Sequence, residues 1–332
     1  MSRELRQAGI IGTGSAAPKK ILTNADLEKI VDTTDEWIRT RSGILERRIA
    51  EADECASDFA SAAGLAALES AGLTPEDVDM IIVATITGDA PTPSTSCIVQ
   101  NRIGASQAAA FDLGAGCSGF VYALSTASAL VSSGVYDNVL VVGVDILSKV
   151  TNWQDRSTCV LFGDGAGAAV VSTVEEGWGL LSFCLGADGS GVDMLRIQAG
   201  GSRLPASVET VQSSLHYIEM SGREVFKFAV RIMGDAAVEA LAKCGLTPTD
   251  VDLFIPHQAN IRIIEAAARR LDLPPEKVFV NVERYGNTSA GSIPIAIDEA
   301  YRSGALKKGN VVVVVGFGAG LTWAAGAMRW VI

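Results

Sequence analysis

The feature that most constrains this chain is an internal repeat. AGLTPEDVDMIIVAT begins at Ala71 and CGLTPTDVDLFIPHQ at Cys244, with Gly, Leu, Thr, Pro, Asp, Val and Asp recurring in register 173 residues apart. A second pair agrees, DNVLVVGVD from Asp137 and GNVVVVVGF from Gly309, 172 residues apart. Two matches at nearly one offset mark a tandem duplication that divides near residue 175, into 1–175 and 176–332. Each half carries an alanine-rich helical stretch, 56–71 or 230–244, followed by a G-L-T-P turn. Pro75 and Pro248 suit the first turn of a short helix. A continuous apolar strand follows at 79–85 or 252–256, and a second at 139–144 or 311–315. Unalternating apolar runs separated by helices predict a mostly parallel sheet covered on both faces. Two such halves packed together predict an α/β fold layered α/β/α/β/α.

Composition closes off several functions. With 48% hydrophobic and 20% charged residues, the 332-residue chain reads as globular, with ample length for a core. A net charge of −11 argues against general nucleic-acid binding. None of the six cysteines falls in a C-x-x-C pair and only two histidines are present, so no metal site is expected. Residues 311–332 have the length of a membrane span and a single charge, Arg329. Gly316, Gly318, Gly320 and Gly326 within a β-branched run instead favour two buried strands joined by a glycine turn, and no membrane association. The opening MSRELRQAGIIGTG lacks a long apolar region, so a cytoplasmic, reduced protein is expected.

Cys117 stands in FDLGAGCSGFVYALSTASALVSSG. Phe111 to Leu113 read as a strand end, Gly114 and Gly116 allow a sharp turn, and 120–130 reads as a buried helix. A cysteine at such an elbow lies near a helix N-terminus, where backbone N–H groups and the dipole favour the thiolate and can hold an oxyanion. A buried structural cysteine beside packing glycines would look the same, and the other five cysteines are read that way. His257, in PHQAN, follows the apolar strand of the second half, at the carboxyl end where open α/β sheets place their chemistry. Its counterpart in the first half is Ala84. His216 has no motif around it and is read as structural. Asn287, in YGNTSAGSIP, lies in the second-half counterpart of the Cys117 elbow. Its amide can donate while staying neutral, although a turn asparagine would serve as well.

Cysteine, histidine and asparagine at these elements resemble the set of the thiolase-fold condensing enzymes, and among them the β-ketoacyl-acyl carrier protein synthase III family. The matching segments are VDTTDEWIRTRSGIL, GCSGF, DRSTCVLFGDGAGA, PHQAN, GNTSAGSIP and GFGAGLTW, which span nearly the whole chain. Elongating members use cysteine with two histidines, whereas Asn287 fits the initiating type. Degradative thiolases use a second cysteine near the C-terminus, and none follows Cys244.

The resemblance implies a reaction. Cys117 takes an acyl group from acyl-CoA, a substrate and not a resident cofactor. Malonyl-acyl carrier protein then condenses on it with loss of CO₂, His257 and Asn287 donating hydrogen bonds to its thioester carbonyl. Backbone N–H groups of Cys117 and Ala319 would form the oxyanion hole, although the family usually has glycine near Ala319. Thr33, Trp37, Arg41, Arg156 and Asn260 match the family's CoA contacts. Trp and Arg suit that task, one stacking on adenine and the other stacking and pairing with phosphate. Arg262, Arg269 and Arg270 form a basic helical stripe, suited to an acidic carrier protein or simply a solvated face. Thr92, where acetyl-specific members place a bulky aromatic, and Phe317 are assigned to the primer pocket, which would then admit longer or branched primers. A homodimer is expected.

Two other readings stay open at this stage. Gly12-Thr-Gly14-Ser-Ala-Ala17 after Ile10-Ile11 could be a dinucleotide fingerprint, though Pro18 stands where a helix should open. The chain could also be a related condensing enzyme of specialised, polyketide-type metabolism.

Overall fold

The computed structural model describes residues 5–332. The strands of its first half are β1 (Gln7–Ala16), β2 (Ile21–Thr23), β3 (Glu46–Arg48), β4 (Met80–Ala84), β5 (Ala109–Leu113), β6 (Asn138–Ile146) and β7 (Asp164–Val174). Those of the second are β8 (Gly179–Ala187), β9 (Leu195–Ile197), β10 (Ile218–Met220), β11 (Leu253–Pro256), β12 (Val311–Gly318) and β13 (Thr322–Arg329). The helices are α1 (Asn24–Leu27), α2 (Asp35–Ser42), α3 (Ala56–Ala71), α4 (Thr95–Ile103), α5 (Gly119–Ser132) and α6 (Arg156–Cys159). They continue with α7 (Val208–Gln212), α8 (Gly222–Lys243), α9 (Ile261–Arg270), α10 (Val282–Tyr285) and α11 (Ser292–Arg302).

One sheet runs β1-β7-β6-β4-β5 and the other β11-β12-β13-β8. Helices α5 and α11 touch both sheets and form the central layer. Helices α3 and α4 cover the outer face of the first sheet, α8 and α9 that of the second. The five expected layers are therefore present. Buried Val, Ile, Leu and Ala side chains from both sheets meet α5 and α11 in one core, each large one removed from water stabilising the fold by roughly 1.5–3 kcal/mol.

The sheets are mixed where the sequence predicts mostly parallel ones. Strand β4 runs parallel to β5 and β6, and β11 to β12, but the other ladders of both sheets are antiparallel. Helices on both faces make every central strand apolar on both sides, so direction leaves no mark on the residue pattern. Residues 311–332 hold the expected pair of strands, β12 and β13. Among the described residues no helix is long and apolar enough to cross a membrane. Helix α8 begins at Gly222, earlier than the alanine-rich stretch suggests, because GREVFKF presents charged residues outward while burying Val225 and Ala229.

The repeat is visible in backbone detail. Thr74 and Asp77, like Thr247 and Asp250, cap their short helices reciprocally. Strand register places Met80 beside Val139 and Leu253 beside Val312. The second strands are thus also related by 173 residues, one more than their letters suggest.

Candidate active site

Cys117 occupies a single tight turn, Gly116–Ser118, between β5 and α5. Gly116 has φ +52°, a left-handed conformation favourable only without a side chain. The hydroxyls of Ser118 and Thr322, 2.9 Å apart, both reach the carbonyl of Ala115 at 2.7 and 3.0 Å, tying the elbow to the β12–β13 turn. A Cβ on Gly318 would lie 2.4 Å from the backbone N of Cys117, so the Gly318–Ala319 backbone runs directly against Cys117.

The second elbow, Ser289–Gly291, lies 173 residues on and opens with Ser289 at φ +48°. Its Oγ donates to Cys117 Sγ at 3.3 Å. The elbow is anchored by Asp145, a fully buried carboxylate at the end of β6, which accepts from the Ala290 N–H at 3.2 Å. Asp145 also gathers the loop after β4, accepting from the N–H of Ile86 at 2.9 Å and the hydroxyl of Thr87 at 2.7 Å.

His257 follows β11 directly, its N–H donating to Val315 O at 2.7 Å. The buried ring places Nδ1 2.5 Å from Ser292 Oγ and packs edge-on against Phe317, with centroids 5.7 Å apart. Its Nε2 is buried without a partner among the described residues. Burial pushes this imidazole down to about 3, so it is neutral. Asn287 is clamped by both its backbone groups to the strand-like segment ahead of β7, through Leu161 O at 2.9 Å and Gly163 N at 3.0 Å. Its Oδ1 accepts from the Ser289 N–H at 2.8 Å, so the amide N–H₂ is its free end.

The elbow does not activate the thiol as expected. Burial pushes Cys117 up to about 12, with Asp145 adding to the rise; the Ser289 hydroxyl and the backbone oppose it. Desolvation outweighs the hydrogen bonds that favour the thiolate, and the resting group is a thiol.

Cys117 lines two cavities. The larger, about 710 Å³, contains Cys117, His257, Asn287 and Phe317 and opens past Trp37, Arg41, Asn260 and Arg262. The smaller, about 300 Å³, is walled by Ile86, Leu147, Phe162, Leu195, Ile197 and Ile218. Gly116, Ser289 and Ala319 close its Cys117 end.

The structure thus brings Cys117, His257, Asn287 and Ala319 together, with Trp37, Arg41 and Asn260 along the exit. Arg156 stacks on Trp37, 4.6 Å from the ring centre, and donates to Asp32 O at 2.7 Å. Thr33 is half-buried, its hydroxyl without a partner, and lines neither cavity. Arg262 packs on Phe226 at the mouth. Arg269 faces Glu265 at 3.8 Å and Arg270 pairs with Asp235 at 3.1 Å, so the basic stripe is partly neutralised. The two residues assigned to the primer pocket stand apart in the single chain. Thr92 is exposed and lines neither cavity of the single chain, and Phe317 faces the larger one beside His257. His216 bonds Thr210 Oγ1 through Nε2 at 2.9 Å, a structural contact. Gly12 and Gly14 lie inside β1, where a Cβ would fall 2.4 Å from carbonyls of α3. They serve close helix–strand packing, which removes the dinucleotide reading.

Sequence reasoning missed Ser289, Ser292, Asp145 and the wall of the smaller cavity. The two serines stand within GNTSAGSIP, one helical turn apart. That spacing was the available signal.

Comparison with known proteins decides the family. The description 3-oxoacyl-[acyl-carrier-protein] synthase III matches residues 111–189, and its C-terminal counterpart matches 241–330. The chain belongs to the β-ketoacyl-[acyl-carrier-protein] synthase III family. It is a condensing acyltransferase, and its layered α/β fold is the thiolase fold of that family. The synthase III of Caldanaerobacter subterraneus subsp. tengcongensis is 61% identical, over 97% of this chain and 98% of that one. The crystal structure of synthase III from Thermus thermophilus shares 52% identity at a TM-score of 0.91, covering 97% of this chain and 99% of that one. The priming β-ketosynthase of the R1128 polyketide pathway is further off in sequence, at 40% identity, with a TM-score of 0.92 over 99% of this chain and 97% of that one.

Proposed function

We propose that Cys117, His257 and Asn287 carry out the condensation in two half-reactions that share the cavity junction. The overall reaction is the initiating condensation of fatty-acid synthesis. Identity favours this over the polyketide-type alternative, since relatives named synthase III reach 61% and the polyketide enzyme 40%. In the first half-reaction Cys117 Sγ forms a bond to the acyl carbon of acyl-CoA. The bond to the CoA sulfur breaks, and the thiol proton leaves with it as CoA–SH. Backbone N–H groups of Cys117 and Ala319 would hold the intermediate oxyanion. In the second, the malonyl C–C bond breaks and CO₂ departs. His257 and the Asn287 amide stabilise the resulting enolate oxygen. The enolate carbon attacks the acyl-enzyme, and Cys117 sulfur leaves and takes up a proton. The scheme needs no resident cofactor.

The single observation that carries this reading is the shared lining: Cys117 belongs both to an apolar cavity and to a channel that also holds His257 and Asn287. We assign the apolar cavity to the primer chain and the channel to the pantetheine arm. Trp37, Arg41, Arg156 and Asn260 are proposed for CoA, with Thr33 behind them. Adenine would have to part Arg156 from Trp37 to stack there. Arg262, Arg269 and Arg270 are proposed to meet the carrier protein, helped by Arg223 and Lys227 at the same mouth. We further propose the halves 1–175 and 176–332, supported by β7 ending at Val174 and β8 starting at Gly179 in the other sheet. A homodimer is supported by β5, an unpaired sheet edge with half-buried Phe111 and Leu113. Thr92 lies on that same face, because α4 after it is capped by Asp112 of β5. A second copy docked there would set Thr92 against its partner's primer pocket. A cytoplasmic location is supported by six free cysteines.

Mass spectrometry after incubation with acetyl-CoA and with longer acyl-CoAs tests the reading. Acyl adducts of both kinds are expected on the Cys117 peptide and none in Cys117→Ser. No adduct with any CoA thioester overturns the mechanism, and acetyl adducts alone overturn the primer assignment.

A further inference from the structure

We infer that Ser292 is a positioning residue of the condensation step, holding His257 in the tautomer whose proton sits on Nε2. The assignment rests on the half-reactions proposed above, but its evidence is geometric. Ser292 is the first residue of α11, and its Oγ lies 2.5 Å from His257 Nδ1, with both side chains almost fully buried. The backbone N–H of Gln258 donates to the same Oγ at 3.3 Å. That oxygen already accepts one bond, which frees its own proton to donate to Nδ1. Were Nδ1 to carry the proton, Oγ would accept twice and its hydrogen would have no other acceptor. A buried hydroxyl left in that state is costly.

The ring nitrogen left over is Nε2, buried and without a protein partner, on a residue that lines the channel with Cys117 and Asn287. With Nδ1 as acceptor, Nε2 carries the hydrogen. The imidazole then approaches the thioester carbonyl as a donor, alongside the Asn287 amide. It cannot take the Cys117 proton at that nitrogen, which agrees with the proton leaving on the CoA sulfur. The hydroxyl is specific to this half: the residue 173 positions earlier, Gly119, opens α5 without a side chain. An imidazole and its orienting hydroxyl therefore occur together.

The test combines a spectrum with a split of the half-reactions. In ¹⁵N-labelled protein carrying His216→Asn, His257 is the one remaining imidazole. Its long-range ¹H–¹⁵N correlations should show a proton-bearing Nε2 and a bare Nδ1. Ser292→Ala should mix the tautomers and slow condensation of the butyryl-enzyme with malonyl-carrier protein about 10- to 100-fold, the scale typical of groups orienting a functional imidazole. Acylation of Cys117 by butyryl-CoA should stay within about threefold, and Ser292→Thr should recover most of the condensation rate. A protonated Nδ1 in the unsubstituted Ser292 protein overturns the inference, as does full-rate condensation by Ser292→Ala. If Ser292→Ala fails to fold, the spectrum with Ser292 in place decides alone. If no CoA thioester acylates Cys117, the proposed function fails while the spectrum still tests this assignment.

Discussion

The two elbows of the duplicated chain share a backbone and differ in chemistry. Gly116–Ser118 and Ser289–Gly291 are single tight turns opening α5 and α11, with first residues at φ +52° and +48°. In the first, the middle residue is Cys117. In the second it is Ala290, and the flanking positions carry Ser289, Asn287 and Ser292 instead. One elbow carries the Cys117 thiol, the proposed nucleophile, and the other carries hydroxyls that face it and His257. A duplication thus builds two like scaffolds face to face, and divergence of a few side chains makes the pair into one asymmetric site.

The sharpest way to break this comparison is to remove the donors. His257→Ala and Asn287→Ala should each slow condensation by about 10²–10³, the usual cost of an oxyanion donor, while Cys117 acylation survives. Equal loss of both half-reactions, read by adduct formation against product release, would show that the elbows do not divide the labour. A second attack is on their contact. A Cβ at Gly143 of β6 would lie 2.2 Å from Ala290 O. Gly143→Ala should therefore destabilise the fold by roughly 1–3 kcal/mol, visible as a lower midpoint in urea. An unchanged midpoint would mean the interface is looser than it is drawn.

Smaller effects sharpen the electrostatics. Because the Cys117 thiol is pushed up to about 12, the thiolate fraction should grow about tenfold per pH unit. Alkylation of Cys117 by iodoacetamide should rise without a plateau from about pH 6 to 9. A plateau near neutrality would mean that the dipole wins over burial after all. Smallest is Ser289→Ala, which removes a hydroxyl that donates to the sulfur. One hydrogen bond of about 1 kcal/mol predicts roughly fivefold slower acylation, and an unchanged rate would reduce Ser289 to packing.

Much of the fold was legible because hydrophobic runs and G-L-T-P turns are local. The helix at 56–71 and the strands near 80, 253 and 311 stand where the residue pattern puts them. Strand direction was not legible, since buried strands carry the same residues either way. Cys117, His257 and Asn287 were readable from small-residue motifs at element ends. Ser289 and Ser292 were marked by nothing but their spacing, because a serine in a turn has no local sign of what it faces. The thiol's acidity was misjudged for a related reason: the elbow is local, whereas Ile86, Leu147 and Phe162, which desolvate the sulfur, come from three separate segments.

By itself, the sequence determined the duplication and the layered α/β class, because both are written in spacing along the chain, and its short motifs singled out Cys117, His257 and Asn287 as candidates. The tertiary structure alone decided that the halves meet elbow to elbow, that burial keeps the thiol protonated and the imidazole neutral, and which hydroxyl faces which. Those properties depend on contacts between residues 35 to 172 positions apart in the chain, where dielectric and hydrogen-bond geometry arise only after packing.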